Sequence, residues 1–159
     1  MSSTKESFSF GHCGINPQDS ILAIFDMEKC KPPLSHQLTF QVKIFSKGKC
    51  IHRTVINEGA STCVISASCW LALGSPTLSP PSNSLKSFDG NTFIPKGYLA
   101  SYPITLHGKT VMVDIEVMDH KLNYNFLFGR NWTYAMNYIV SLGFRIILFP
   151  LDGNIVTMD

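Results

Sequence analysis

Residues 54 to 66 of the chain read TVINEGASTCVIS. Two short apolar runs, Val55-Ile56 and Cys63-Val64-Ile65, flank the polar segment Asn57-Glu58-Gly59-Ala60-Ser61. Runs of this kind are strands, and Gly59 lets the backbone between them turn tightly. The turn therefore presents an amide, Asn57, and a carboxylate, Glu58, at the end of a strand. An asparagine amide can orient a water molecule, but near neutrality it cannot accept that water's proton. Glu58 is the adjacent group that can act as a general base. Neighbouring strand residues point to opposite faces, however, so Glu58 is expected to face away from a water held by Asn57.

Few other residues carry a chemical pattern. Asp114 and Glu116 lie two apart and share one strand face, which reads as a solvated face rather than a paired acid and base. Asp89 sits in Asp89-Gly90-Asn91, a turn sequence. His12-Cys13 and Cys30 lack the spacing of a metal site, and no zinc knuckle is present, so no metal or cofactor is assigned. Asn131-Trp132-Thr133 fits a glycosylation sequon, but no secretory signal accompanies it. No Ser/His/Asp set, phosphate loop or dinucleotide fingerprint stands out.

The elements that must position these residues are short strands. Phe40, Val42 and Ile44 alternate with polar residues, Ser46-Lys47-Gly48-Lys49 turns the chain, and Cys50 to Ile56 returns to deliver the Asn57 loop. Ser66 can cap a short helix over residues 67–73, which Gly74 ends. Pro76, Pro80 and Pro81 mark a surface loop. Leu85 to Phe88 and Thr92 to Ile94 flank the Asp-Gly turn as a hairpin. A second hairpin runs from Tyr102 to Leu106, through His107-Gly108-Lys109, and along Thr110 to Met118, where Val111, Val113, Ile115 and Val117 alternate with polar or mixed neighbours. Phe126-Leu127-Phe128 is a short buried strand ending at Gly129-Arg130-Asn131. Trp132, Met136 and Ile139 have core spacing for a helix over 132–140. Residues 144–149 and 154–158 form a last hairpin around Leu151-Asp152-Gly153. Many short strands, Gly-centred turns and few helices point to an all-β domain with minor α content, either a small barrel or a sandwich.

In this order the segments resemble the retropepsin-like aspartic proteases, most of all the protease region of plant gypsy-type, long-terminal-repeat retrotransposon polyproteins. INEGAST is similar to the catalytic loop, SFDGNTFIPKG to the flap hairpin, and NFLFGRNW to the apolar-Gly strand and helix that follow. The resemblance covers about Leu38 to Asp159 and implies a small closed antiparallel β barrel with one or two short helices. It assigns Asn57 to the position of the catalytic Asp, and Glu58, Gly59, Ala60 and Ser61 to the active-site loop. Phe88, Asp89, Gly90 and Asn91 fall on the flap over the substrate cleft. Gly129 and Arg130 are structural supports, the Arg tying the domain together by ion pairs. The resemblance also implies a homodimer that pairs two such loops, and a peptide or polyprotein segment as ancestral substrate. In that family two facing carboxylates share a proton, one activating water and the other donating to the scissile carbonyl. With Asn57 in place of Asp both carboxylates are lost, and the expectation is an inactive domain. The alternatives are an active aspartic endopeptidase that processes a retrotransposon polyprotein, through Glu58 or by pairing with an Asp-bearing copy, and a non-catalytic peptide-binding module.

Composition bounds the rest. At 159 residues with 45% hydrophobic residues, the chain is expected to hold one folded domain over residues 34–159, preceded by a loosely ordered arm and linker over 1–33 that breaks at Pro32-Pro33. A net charge of +2 with scattered Lys and Arg argues against a nucleic-acid or membrane surface. No stretch approaches the ~20 apolar residues of a membrane span, and the N-terminus lacks the apolar core of a signal peptide. A cytoplasmic or nuclear setting is expected, with the five cysteines as free thiols.

Overall fold

A computed structural model describes residues 5–9, 22–26, 40–81, 85–86 and 90–159. Lys5–Ser9 (β1) and Leu22–Asp26 (β2) pair antiparallel. The rest of the expected arm and linker, including His12, Cys13, Cys30 and Pro32-Pro33, lies outside the described residues.

Two-residue turns set most of the remaining register. Gln41–Ser46 (β3) and Lys49–Ile56 (β4) meet at Lys47 and Gly48, both with positive φ. Cys63–Ser66 (β5) leads into the helix Ala67–Ala72 (α1). Leu85–Lys86 (β6) pairs with Thr92–Phe93 (β7). Gly97–Leu106 (β8) and Lys109–Met118 (β9) turn at His107 and Gly108. Phe126–Phe128 (β10) precedes the helix Arg130–Met136 (α2) and Ile139–Ser141 (β11). Ile146–Leu151 (β12) and Asn154–Met158 (β13) turn at Asp152 and Gly153. In all three of these turns both central residues have positive φ, the conformation whose twist matches that of paired strands.

Six strands close a barrel in the order β10-β4-β3-β8-β9-β5. Four of its pairings are antiparallel, while β10 with β4 and β5 with β9 run parallel. The parallel contacts bring the Asn57 loop, between β4 and β5, against the end of β10. Strands β11, β12 and β13 form a separate three-stranded antiparallel sheet.

Alternation decides what the barrel encloses. Val111, Val113, Ile115 and Val117 of β9 are buried beside Ile44, Ile65, Leu99, Ile104 and Leu106. Each fully buried aliphatic side chain contributes about 1.5–3 kcal/mol. The opposite face of β9 is less uniform than expected. Asp114 is exposed and accepts a hydrogen bond from the Ser101 N–H at 2.8 Å, but Glu116 is half-buried. Burial and the charge of Asp114 push the Glu116 carboxyl above its ordinary range. Ser101 itself has positive φ, at a register shift that lets β8 run longer than the predicted 102–106.

The helices are short. Ser66 caps α1 as predicted, its Oγ accepting from the Cys69 N–H. The helix predicted over 132–140 instead spans Arg130–Met136. Asn137 adopts the left-handed conformation and ends it, and Ile139 belongs to β11. The core spacing holds for Trp132 and Met136, which are fully buried, but not for Ile139, which is 36% exposed.

Candidate active site

The Asn57 loop hangs between the ends of β4, β5 and β10. The Asn57 N–H donates to Phe128 O at 2.9 Å, and the Arg130 N–H donates to Ala60 O at 2.8 Å. These two bonds bracket Gly129. An added Cβ at Gly129 would stand 2.2 Å from Thr62 O, so only glycine permits this crossing of backbones. Within the loop, Asn57 Oδ1 accepts from the Gly59 N–H at 3.0 Å, and the Ala60 N–H bonds back to Asn57 O. The side-chain carbonyl of Asn57 thus closes its own turn.

Asn131 fixes the far side of the crossing. Its Oδ1 accepts from Cys63 Sγ at 3.1 Å and from the Trp132 N–H, while its Nδ2 donates to Asp114 O. The sequon nitrogen is therefore part of the frame that joins β5, β9 and α2. Burial pushes the Cys63 thiol up to about 12, although backbone bonds at Gly129 and Trp132 act in the opposite sense. It is a packed thiol and not a nucleophile.

Glu58 lies outside the cleft. Its Oε1 accepts a hydrogen bond from Tyr138 Oη at 2.9 Å, across 80 residues of sequence. Tyr138 packs against Trp132, which stacks on Phe128 at 3.9 Å. Burial, the bond to Glu58 and its negative charge all push the Tyr138 hydroxyl above its ordinary range. The pair has no local mark in the sequence, because 80 residues separate its members and only the fold brings them together.

A cavity of about 650 Å³ opens over the loop. Asn57, Gly59, Ala60, Ser61 and Thr62 form its polar part, and Val64, Leu85, Phe93, Met118, Leu122 and Leu127 contribute apolar wall. Tyr124, His120 and Arg130 complete the lining. Leu85 and Phe93 come from the β6–β7 hairpin, the expected flap, and the Phe93 ring meets His120 edge-on at 5.2 Å. Of the expected flap residues, Gly90 has positive φ and Asn91 is exposed, and neither lines the cavity. Phe88 and Asp89 lie outside the described residues. Among the described residues Arg130 meets the loop through its backbone N–H and not through the expected ion pairs, and its residue lines the cavity. Sequence reasoning missed that second placement, as it did the contributions of His120, Tyr124 and Met118.

Chemically, the cleft offers an amide where a strand end meets polar loop and apolar wall. Asn57 can donate through Nδ2 and hold a polar group, but it cannot serve as general base. Among the described residues no three His, Cys, Asp or Glu side chains are grouped to hold a metal ion, and no helix is long and apolar enough to cross a membrane.

A closed six-stranded barrel with β10 between β4 and β5, and a short hairpin over a cleft, defines the retropepsin-like fold. The solved retroviral protease-like domain of Ddi1 from Leishmania major is similar to this chain with a TM-score of 0.59 and 11% identity, over 76% of this chain and 94% of that one. That likeness establishes the fold alone. No protein-family model matches the chain, and no curated protein matches it in sequence.

Proposed function

We propose that this chain is a degenerate aspartic-protease domain, derived from a plant retrotransposon polyprotein, that has lost hydrolysis and serves as a folded or dimerising domain. The observation that carries the reading is Asn57 itself. It lines a cleft of retropepsin-like form, in the loop where the resemblance calls for a carboxylate, and it has no proton to exchange near neutrality. Glu58 does not replace it, because that carboxylate is engaged by Tyr138 outside the cleft. General acid–base groups commonly contribute about 10² to 10⁴ in rate, and a two-fold pair of such loops would lack both. The reading extends to a homodimer that pairs two Asn57 loops, as an isologous assembly would.

The test is cleavage of a mixed peptide library by the unmodified chain, Asn57→Asp, and Asn57→Asp with Glu58→Ser, with sedimentation of each preparation. The expected result is silence from the unmodified chain and acid-favoured, pepstatin-sensitive cleavage from one or both variants. Two aspartates would regenerate a shared-proton pair, so activity should fall as pH rises and both ionise. Equal pepstatin-sensitive cleavage by the unmodified chain would refute the inert reading. A strict monomer at high concentration would refute the dimer.

A second reading, a peptide-binding module without chemistry, is favoured by the cavity itself. Its volume falls within the range of about 300–1,000 Å³ common for ligand sites, and its walls are mostly apolar with a few convergent polar groups.

A further inference from the structure

We propose that Arg130 makes the cleft selective for an extended peptide that sets a carboxylate beside a bulky apolar side chain. The inference rests on the peptide-binding reading and adds the chemistry of the ligand. Arg130 lines the cavity together with Ser61 and Asn57, and its residue is exposed. Its backbone is held on both sides of the Cα: the N–H donates to Ala60 O, and the carbonyl accepts from Thr133 Oγ1 at 3.0 Å. The base of the side chain is thus fixed relative to the Asn57 loop, while the guanidinium is a permanent cation with planar donors suited to a carboxylate.

Among the described residues, that charge has no matching group in the lining. None of the described residues that line the cavity is a carboxylate. The loop's own acid, Glu58, is not among them and accepts from Tyr138. Next to this rim, Val64, Leu85, Phe93 and Met118 supply the apolar wall that a large side chain would cover. A peptide with neighbouring acidic and apolar residues matches both features, and a basic peptide would be repelled.

The experiment uses the full 159-residue chain and labelled hexapeptides centred on Phe, with Glu or Gln placed at each other position in turn. At one position or more, the Glu peptide should bind about fivefold tighter than its Gln counterpart at low salt, a modest factor because the cation is exposed. That preference should shrink as salt is raised. Arg130→Gln should abolish it, and Arg130→Lys should keep part of it. The Arg130 Nε–Hε resonance should move on adding the Glu peptide and not the Gln peptide, which decides the matter if Arg130→Gln does not fold. Equal affinity for both series at every position, or a Glu preference that survives Arg130→Gln, overturns the proposal and leaves the peptide-binding reading standing. Failure of every peptide to bind overturns both.

Discussion

Replacing Gly129 by Ala tests whether the crossing between β10 and the residues before β5 shapes the site. The backbone at Gly129 is extended, with φ −99° and ψ −172°, a conformation open to any residue, so the cost is purely steric. The new Cβ would lie 2.2, 2.5 and 2.8 Å from Thr62 O, C and N, all backbone atoms that cannot swing aside. The segments must part by roughly 1 Å, more than the hydrogen bonds on either side of Gly129 can absorb. Overpacking of this kind costs about 1–3 kcal/mol, and weakening the Asn57 and Arg130 backbone bonds adds about 0.5–1.5 kcal/mol each. A loss of about 4 kcal/mol is a large part of the 5–15 kcal/mol of a typical domain. The assay is urea and thermal unfolding of Gly129→Ala beside two controls. At Gly59 an added Cβ meets only Asn57 Oδ1, at 3.1 Å, and at Gly143 it meets nothing within 4 Å. Both controls should stay within about 1 kcal/mol of the parent. A Gly129→Ala protein as stable as Gly143→Ala would refute the steric argument and the role of the crossing.

The Glu58–Tyr138 bond should appear as a coupling in a cycle of Glu58→Gln, Tyr138→Phe and the double variant, about 0.5–1 kcal/mol because the carboxylate is exposed. Additive effects on urea unfolding would show that the contact carries no energy. Alkaline stability should depend on Cys63, whose thiol is raised from 9.0 to about 12 by burial. The folded state holds that proton longer than the unfolded one, so the stabilisation is intact below about pH 9 and falls as pH rises towards 12. Between pH 9 and 10.5 the loss from this group should be about 2 kcal/mol. A Cys63→Ala protein that loses as much as the parent over that window would sink the assignment.

Local pattern made much of the fold legible in the sequence. Strict alternation over Val111, Val113, Ile115 and Val117 marks a buried face because strand geometry has a period of two. The capping serine, the two-residue turns and the apolar triplet before Gly129 are equally local, and each stands where the pattern put it. Long-range features were not legible. Alternation does not encode the direction of a partner, so the two parallel pairings of the barrel have no sequence mark. The end of α2 was misread because Trp132, Met136 and Ile139 fit a helical stripe, whereas Asn137 takes the left-handed turn that stops it. At the candidate site, the loop residues that line the cavity belong to one short segment. The Tyr138 partner of Glu58 and the wall formed by Phe93, Met118 and His120 come from separate elements that only closure of the barrel unites.

The loop also shows why a change at Asn57 can leave the surrounding architecture in place. Two demands fall on this side chain, and they draw on different atoms. Folding of the turn needs an acceptor at 3.0 Å from the Gly59 N–H, and an amide carbonyl supplies it as well as a carboxylate oxygen. Hydrolysis needs a group that gains and loses a proton, and the amide nitrogen that replaces the second oxygen does neither. An amide here is nearly isosteric with a carboxylate and carries no charge, so on the proposed reading the bracketing bonds at Phe128 and Ala60 are compatible with either group. The charge of Glu58 would be disruptive if it faced a second copy of the same loop, since like charges at close range repel. Its bond to Tyr138 removes it from the cleft lining, and the aromatic stack of Phe128, Trp132 and Tyr138 gives that partner a fixed position. On the proposed reading a well-formed cleft and the loss of a general base are compatible, because the shape of the loop depends on acceptors and backbone while the chemistry would depend on a titratable proton.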